Sequence, residues 1–453
     1  MYQVESCYTI FGVEQVAMNR REFMSATAFA AMSNLLIARA DGRQDLRAAA
    51  REAWLYLLPL VEVSAVRNRA LAAGPANTLI HQKQLTTVAT QRVTSPNNDT
   101  LYSRAFLDLS KGPVTISLPP TGDRYLSVAL MDMFTNNFAI LGTRTTGRLG
   151  GEFTVVGPED TVSSHVIRAP GPSAFMLART LVDSNADVPA ARSVQERISL
   201  RALESDRQFD ATPSRDAEWR TYFTQAGRLL SLENPPVTDG ALFERTARLG
   251  LNREGFVARH YTKTEEAEIE AGVAEAKAIA RLAHGGTYTA NGWSYPQSNL
   301  GWFKQDYAFR AQIALTGLFA LPVEEAIYTR SMGDGSDGLF HGNSYRLHFP
   351  SGQLPPVEAF WSLTAYEATP AGQFFFTPNP IDRYSIGDRT EGLHFNGDGS
   401  LDIWISREDP GSNRRANWLP APAAAPFMLS LRAYLPTKGF GRGGYHVPAI
   451  EPQ

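Results

Sequence analysis

The sequence predicts a mainly β chain with a helical insert, an α+β arrangement in which two sandwiches of short antiparallel strands flank a helical neck. Three observations predict it. Short alternating runs fill residues 77–157 and continue to about 183, helical spacing takes over from 189 to 285, and alternation returns from 338 to the end. Short runs broken by Gly and Pro suit antiparallel sandwiches, because parallel sheets need a helical crossover between successive strands. The expected boundaries are an N-terminal helix at 41–74, a first β module at 75–188, a neck at 189–325 and a second β module at 326–453.

A different kind of segment precedes the helix. From Met18, "MNRREFMSATAFAAMSNLLIARADG" carries Arg20 and Arg21, then a modestly apolar run ending in Ala38-Arg39-Ala40. A basic pair, a short apolar middle and small residues before a cleavage point are the plan of a twin-arginine export signal. The run is about 15 residues, short of the roughly 20 that span a bilayer, and Ser25, Thr27, Ser33 and Asn34 interrupt it. The expectation is delivery in folded form to the periplasm or outside the cell, with residues 1–40 removed and no membrane anchor left. Removal also takes Cys7, the only cysteine, which excludes disulfides and cysteine nucleophiles. The net charge of −3 gives no field that would recruit nucleic acid. A chain that is 43 % hydrophobic can build a large core without staples.

Residues 43–73 read as a helix stopped by Gly74-Pro75 and kinked at Pro59, which removes a donor. "LYSRAFLDL", "PVTISLP", "RYLSVALMDMF" and "GEFTVVG" read as strands. In the neck, "KTEEAEIEAGVAEAKAIARLAHGG" has Thr264 ahead of an acidic first turn and Gly285-Gly286 after its end, and "KQDYAFRAQIALTGLF" reads as a helix over 304–319. "NSYRLHF", "AFWSLTAYE", "GSLDIWIS" and "FMLSLRAYLP" are the strands of the second module.

Several familiar sites are absent. There is no Walker-type loop and no nucleophile elbow. "GDGSDG" at 333–338 fits a glycine fingerprint only in letters, since it leads into a strand and reads as a turn. No two of the eight histidines have metal-ligand spacing, so no cofactor is expected, and only a metal site assembled from distant histidines stays open.

What remains is a polar set around the first β module. His81 precedes the first strand; Asn97, Asn98 and Asp99 open the next, with Tyr102 three residues on; Asp132, Asn136 and Asn137 cluster in "LMDMFTNNFAILGTR". As a strand residue, Asp132 shares a face with Leu130 and Phe134, and a carboxylate there must be bonded, paired or titrating at a raised pKa. Asx side chains in such places also simply hold turns. On the helix at 304–319, Asp306 and Arg310 are spaced to pair, beside Tyr307. In the last module Arg389 stands on a turn, and Trp418 lies in "NWLPAP".

These segments resemble two families. "SPNNDTLYSRAFLDL…GPVTISLPP…DRYLSVALMDMFTNNFAILGTRTTG" is similar to the domain of unknown function 1254, and "PPVEAFWSLTAYE…NPIDRYSIGDR…DGSLDIWIS…NWLPAPAAAPFMLSLRAYLP" to its usual C-terminal companion, the domain of unknown function 1214. The resemblance implies an exported protein built of jelly-roll-like modules joined by a helical neck. It brings no reaction with it.

Two functions fit these residues. One is an envelope protein that binds or acts on a small, partly apolar organic molecule by acid–base chemistry. There His81, Asp99 and Asp132 would be catalytic, and Asn98, Tyr102, Asn136, Tyr307, Arg310, Arg389 and Trp418 would hold the ligand. The other is a non-catalytic binding or scaffold protein, for which a homo-oligomer is equally compatible. If Asp99 faces a cavity, Asp99→Asn should leave thermal stability unchanged or raise it, whereas Asn97→Ala should cost about 0.5–2 kcal/mol as a lost turn bond.

Overall fold

The computed structural model describes residues 45–161, 165–205, 207–282, 288–437, 439–441 and 443–453. The expected export signal, Cys7 and Gly285-Gly286 lie outside them. The core begins with helix α1, Leu46–Leu71, which runs through Pro59. Its Ala, Leu and Val side chains are buried on nearly every side, so it is the inner helix of the neck. Five more helices follow: α2 Val188–Gln195, α3 Trp219–Ser231, α4 Gly240–Thr246, α5 Lys263–Arg281 and α6 Tyr307–Thr316.

Helices α3 to α6 all pack on α1. A Cβ at Gly272 of α5 would lie 2.1 Å from the Arg47 carbonyl oxygen, so glycine allows the close approach of α1 and α5. The cap of α5 differs from expectation. Thr262, not Thr264, accepts the Glu265 amide while the Glu265 carboxylate takes the Thr262 amide, a reciprocal capping box. None of the described helices is long and apolar enough to cross a membrane.

The first sandwich pairs a five-stranded antiparallel sheet with a four-stranded one. The larger runs Ile80–His81, Thr100–Asp108, Ser173–Leu181, Leu126–Met131, Asn137–Gly142 in spatial order. The smaller is Val166–Arg168, Gly151–Val156, Val114–Leu118, Ser199–Arg201. Leu107, Ile116, Val128 and Met176 fill the space between them. The opposite face of the larger sheet, with Phe106, Phe175 and Leu177, joins the core of the neck. Ser199–Arg201 extends this sandwich into the stretch expected to be helical.

The second sandwich has a larger sheet ordered Tyr288–Ala290, Trp293–Tyr295, Ala326–Ser331, Phe427–Pro436, Val357–Ala368, Phe374–Phe375, with Ser385–Gly387 also on Val357–Ala368. It therefore starts before residue 326. Trp418–Pro420, Leu401–Ser406, Ser344–Phe349 and Ile450–Pro452 form the facing sheet, and Trp361, Leu363, Leu429 and Leu431 lie in the core between. On the other face of the larger sheet, Ser362, Thr364, Tyr366, Ser430 and Arg432 are polar yet buried. At these five residues that face does not meet solvent. The loop entering the first module's strand Thr100–Asp108 lies on it.

Candidate functional site

The loop Thr94–Asp99 is built from its side chains and fixed by distant ones. Asn97 Oδ1 accepts the amides of Asp99 at 2.7 Å and Thr100 at 3.2 Å, a local turn. Its Nδ2 donates to the Tyr434 hydroxyl at 2.7 Å. The Pro96 carbonyl accepts the Tyr366 hydroxyl at 2.6 Å and Arg432 Nη2 at 3.1 Å. Asp99, 1 % exposed, accepts Arg389 Nη2 on one oxygen at 2.9 Å and the Ser362 hydroxyl on the other at 2.8 Å. Arg389 also donates to the Val182 carbonyl and lies 4.3 Å from the Phe360 ring centroid. Both partners of Asp99 come from the second module.

Above this contact opens a cleft of about 760 Å³, lined by Leu85, Val88 and Asn98 of the first module and by residues 381–385, 387 and 389–391 of the second. Its two arginines are already engaged by the protein. Arg389 serves Asp99, and Arg383 Nη1 donates to the carbonyls of Arg415, Ala416 and Trp418 at 3.3, 2.9 and 2.8 Å. Its exposed charged groups are Asp183, Asp382 and Glu391. Asp183 and Glu391 make no ion pair among the described residues, and Asp382 accepts only the Tyr384 hydroxyl at 3.4 Å. The spare charge of the cleft is therefore negative, between walls that include Leu85, Val88 and Tyr384. Asn98 Nδ2 is turned to the Thr86 carbonyl at 2.6 Å.

The other candidate residues lie elsewhere. Strand Leu126–Met131 ends before Asp132. Asp132 Oδ1 accepts the Phe134 and Asn136 amides, each at 2.9 Å, and Oδ2 accepts Asn136 Nδ2 at 3.0 Å. This is turn chemistry rather than a strand face. Burial pushes the Asp132 carboxyl up, opposed by those hydrogen bonds and by Arg310. Asn136 Oδ1 in turn accepts the Phe303 amide.

Asp306 does not pair with Arg310. It caps α6 through the Phe309 amide at 3.1 Å, while Arg310 points into the neck, fully buried, with Nε, Nη1 and Nη2 unbonded. Its guanidinium carbon lies 5.1 Å from the ring centroids of both Tyr56 and Tyr307, and the Tyr307 hydroxyl donates to Asp239.

His81, on the edge strand, has Nδ1 2.8 Å from the Ser103 hydroxyl of the next strand, and burial pushes its imidazole down. Tyr102 lies beside Arg179. Trp418 is a core residue of the second sandwich, donating to the Ser406 carbonyl at 3.0 Å. Of the candidate residues, the cleft brings together Asn98, Asp99 and Arg389; His81 and Asp132 do not line it. Ser362, Asp183 and Glu391 were missed. Ser362 sits in an alternating strand with no local sign of a partner, and acidic loop residues such as Asp183 read as solvated surface.

Comparison with known proteins follows the same division. "Protein of unknown function (DUF1254)" matches residues 76–202, and "Protein of unknown function (DUF1214)" matches 325–438. Among solved structures, the VPA0106 protein from Vibrio parahaemolyticus is similar, with 22 % identity and a TM-score of 0.68 over 90 % of this chain and 100 % of that one. An uncharacterised protein from Burkholderia cenocepacia matches at 12 % identity and a TM-score of 0.43, over 92 % of this chain and 96 % of that one. A comparison with curated proteins gives no match. The likeness to the Vibrio protein supports the α+β layout of two β modules and helices. The chain pairs an N-terminal domain of the DUF1254 family with a C-terminal domain of the DUF1214 family.

Proposed function

We propose that this protein binds a small, partly apolar organic molecule bearing hydroxyl or ammonium groups, in the cleft between its two β modules. The observation that carries this is the charge balance of the cleft: its arginines are satisfied by the protein, while Asp183, Asp382 and Glu391 are exposed. Carboxylates with free lone pairs accept hydroxyl and ammonium donors and repel anions. Binding is favoured over acid–base catalysis because both Asp99 oxygens are engaged and His81 and Asp132 stand apart from the cleft. The test is a thermal-shift and calorimetric panel of a diamine, a neutral sugar and a dicarboxylate. The reading expects the first two to bind, and Asp382→Asn with Glu391→Gln to weaken them. Preference for the dicarboxylate would overturn it.

The proposal also places the protein in the cell envelope, on the strength of the Arg20-Arg21 pair, the short apolar run and Ala38-Arg39-Ala40. Intact mass of the exported form should correspond to a chain starting at Asp41. Replacing Arg20 and Arg21 by Lys should leave folded precursor in the cytoplasm, and normal export of that variant would contradict the signal.

A further inference from the structure

A second place between the modules has the opposite charge. Arg179 lies on the strand Ser173–Leu181 of the first sandwich and is 5 % exposed. Its Nη2 donates to the Phe319 carbonyl at 3.3 Å, and its Nε and Nη1 have no hydrogen-bond partner. Among the described residues no carboxylate pairs with it. Glu325 is held elsewhere, by the Tyr125 hydroxyl at 2.8 Å and Arg144 at 2.6 Å. Tyr102 is the cross-strand neighbour of Arg179, with its ring centroid 5.5 Å from the guanidinium carbon. From the second module, Tyr328 and Tyr434 approach with hydroxyls 2.9 Å apart. Burial pushes the Tyr328 phenol up, opposed by the Arg179 charge, so its hydroxyl stays protonated at neutral pH.

This place is open. Tyr328 stands on Ala326–Ser331, a strand flanked on both sides within its sheet, yet it is 37 % exposed. The sheet face is therefore uncovered there. Arg330, two residues on and on the same face, is partly exposed and makes no hydrogen bond or ion pair among the described residues. None of Tyr102, Arg179, Tyr328 and Arg330 lines the acidic cleft.

We propose that Arg179 anchors a second ligand site, which takes a small organic carboxylate with a flat apolar body. A buried guanidinium with two unbonded nitrogens needs acceptor oxygens, and a single buried positive charge balances a monoanion better than a dianion. Tyr102 and Tyr328 supply ring surface for the body of the ligand, and Arg330 attracts it at the mouth. The site is independent of the cleft, so its failure would leave the cleft reading standing.

The test is isothermal titration at pH 7 with benzoate, benzyl alcohol, benzylamine and inorganic phosphate. Benzoate should bind saturably, and the other three should bind at least about tenfold more weakly. Arg179→Met should remove benzoate binding. Should that variant fail to fold, Arg330→Gln, at a partly exposed position, should weaken benzoate severalfold without moving the melting temperature. Ala89→Trp, which fills the acidic cleft, should leave benzoate affinity unchanged. The proposal is overturned if benzoate does not bind, if benzyl alcohol or phosphate binds equally well, if benzoate affinity survives both arginine changes, or if it falls with Ala89→Trp.

Discussion

The Asp99 carboxylate meets Arg389 Nη2 at 2.9 Å across 290 positions of sequence, and it holds the first β module to the second. With Asp99 1 % exposed and the Arg389 side chain 17 % exposed, the pair is shielded from water. Removing one member strands the other.

Asp99→Asn should therefore cost about 3–5 kcal/mol, the scale of a broken buried pair. This reverses the expectation from sequence alone, in which a cavity-facing carboxylate could be neutralised without loss. Arg389→Gln should cost a similar amount. The double variant should lose clearly less than the sum of the two, as chemical denaturation of all four proteins would show. Strict additivity would mean that the two side chains are not coupled.

Asn97→Ala and Thr262→Ala test the two local motifs. Asn97 satisfies two amides and one tyrosine, and Thr262 anchors the capping box of α5. Each change should cost about 1–2 kcal/mol. For Thr262→Ala, amide exchange should accelerate in the first turn of α5 and little elsewhere.

Stability should depend on pH through Glu233. It is 7 % exposed and 3.5 Å from Arg67, and burial pushes its carboxyl up to about 7 from an ordinary 4.5. The folded state holds this proton more tightly than the unfolded chain. Its contribution is fully present below pH 4.5 and is lost as pH rises through 7, an effect on the order of 3 kcal/mol. His81, whose imidazole is pushed down, works in the other direction, so the comparison must be between wild type and Glu233→Gln. Melting temperatures from pH 5 to 8 should fall more steeply for wild type. Parallel curves would show that Glu233 is charged throughout.

Arg310→Met should leave the melting temperature unchanged or raise it. The guanidinium is fully buried with three unbonded nitrogens, a methionine fills similar space without a charge to desolvate, and Asp132, which loses the nearby positive charge, keeps its three hydrogen bonds from Phe134 and Asn136. Binding in the cleft should be unaffected. A large loss of stability would mean that Arg310 has partners, such as ordered water, worth more than its burial costs.

The sequence makes the large-scale order legible because periodicity reports which residues of an element face apolar surroundings. The strands of both modules and α1, expected at 43–73 and found at Leu46–Leu71, follow from that. Periodicity does not say what covers the other face. Ser430 and Arg432 alternate with Leu429 and Leu431 as if Ser430 and Arg432 met solvent, yet they are buried, and Arg432 holds the Pro96 carbonyl. Asp306 and Arg310 have ion-pair spacing on a helix, but Asp306 begins that helix and is used by its first turn. Asp99 could be recognised as unusual. Its partners Ser362 and Arg389 could not, since no local pattern encodes a contact made across two modules.

The most direct test of the cleft as a binding site is native mass spectrometry of the protein purified from its own cells, run beside Ala89→Trp. Ala89 is exposed and lines the cleft, so a tryptophan there should fill the ligand's space without disturbing the core. The account predicts a bound mass that is neutral or cationic once released, retained by wild type and absent from Ala89→Trp at equal melting temperature. A bound mass retained equally by both proteins, or an anionic molecule displaced by the tryptophan, would contradict it.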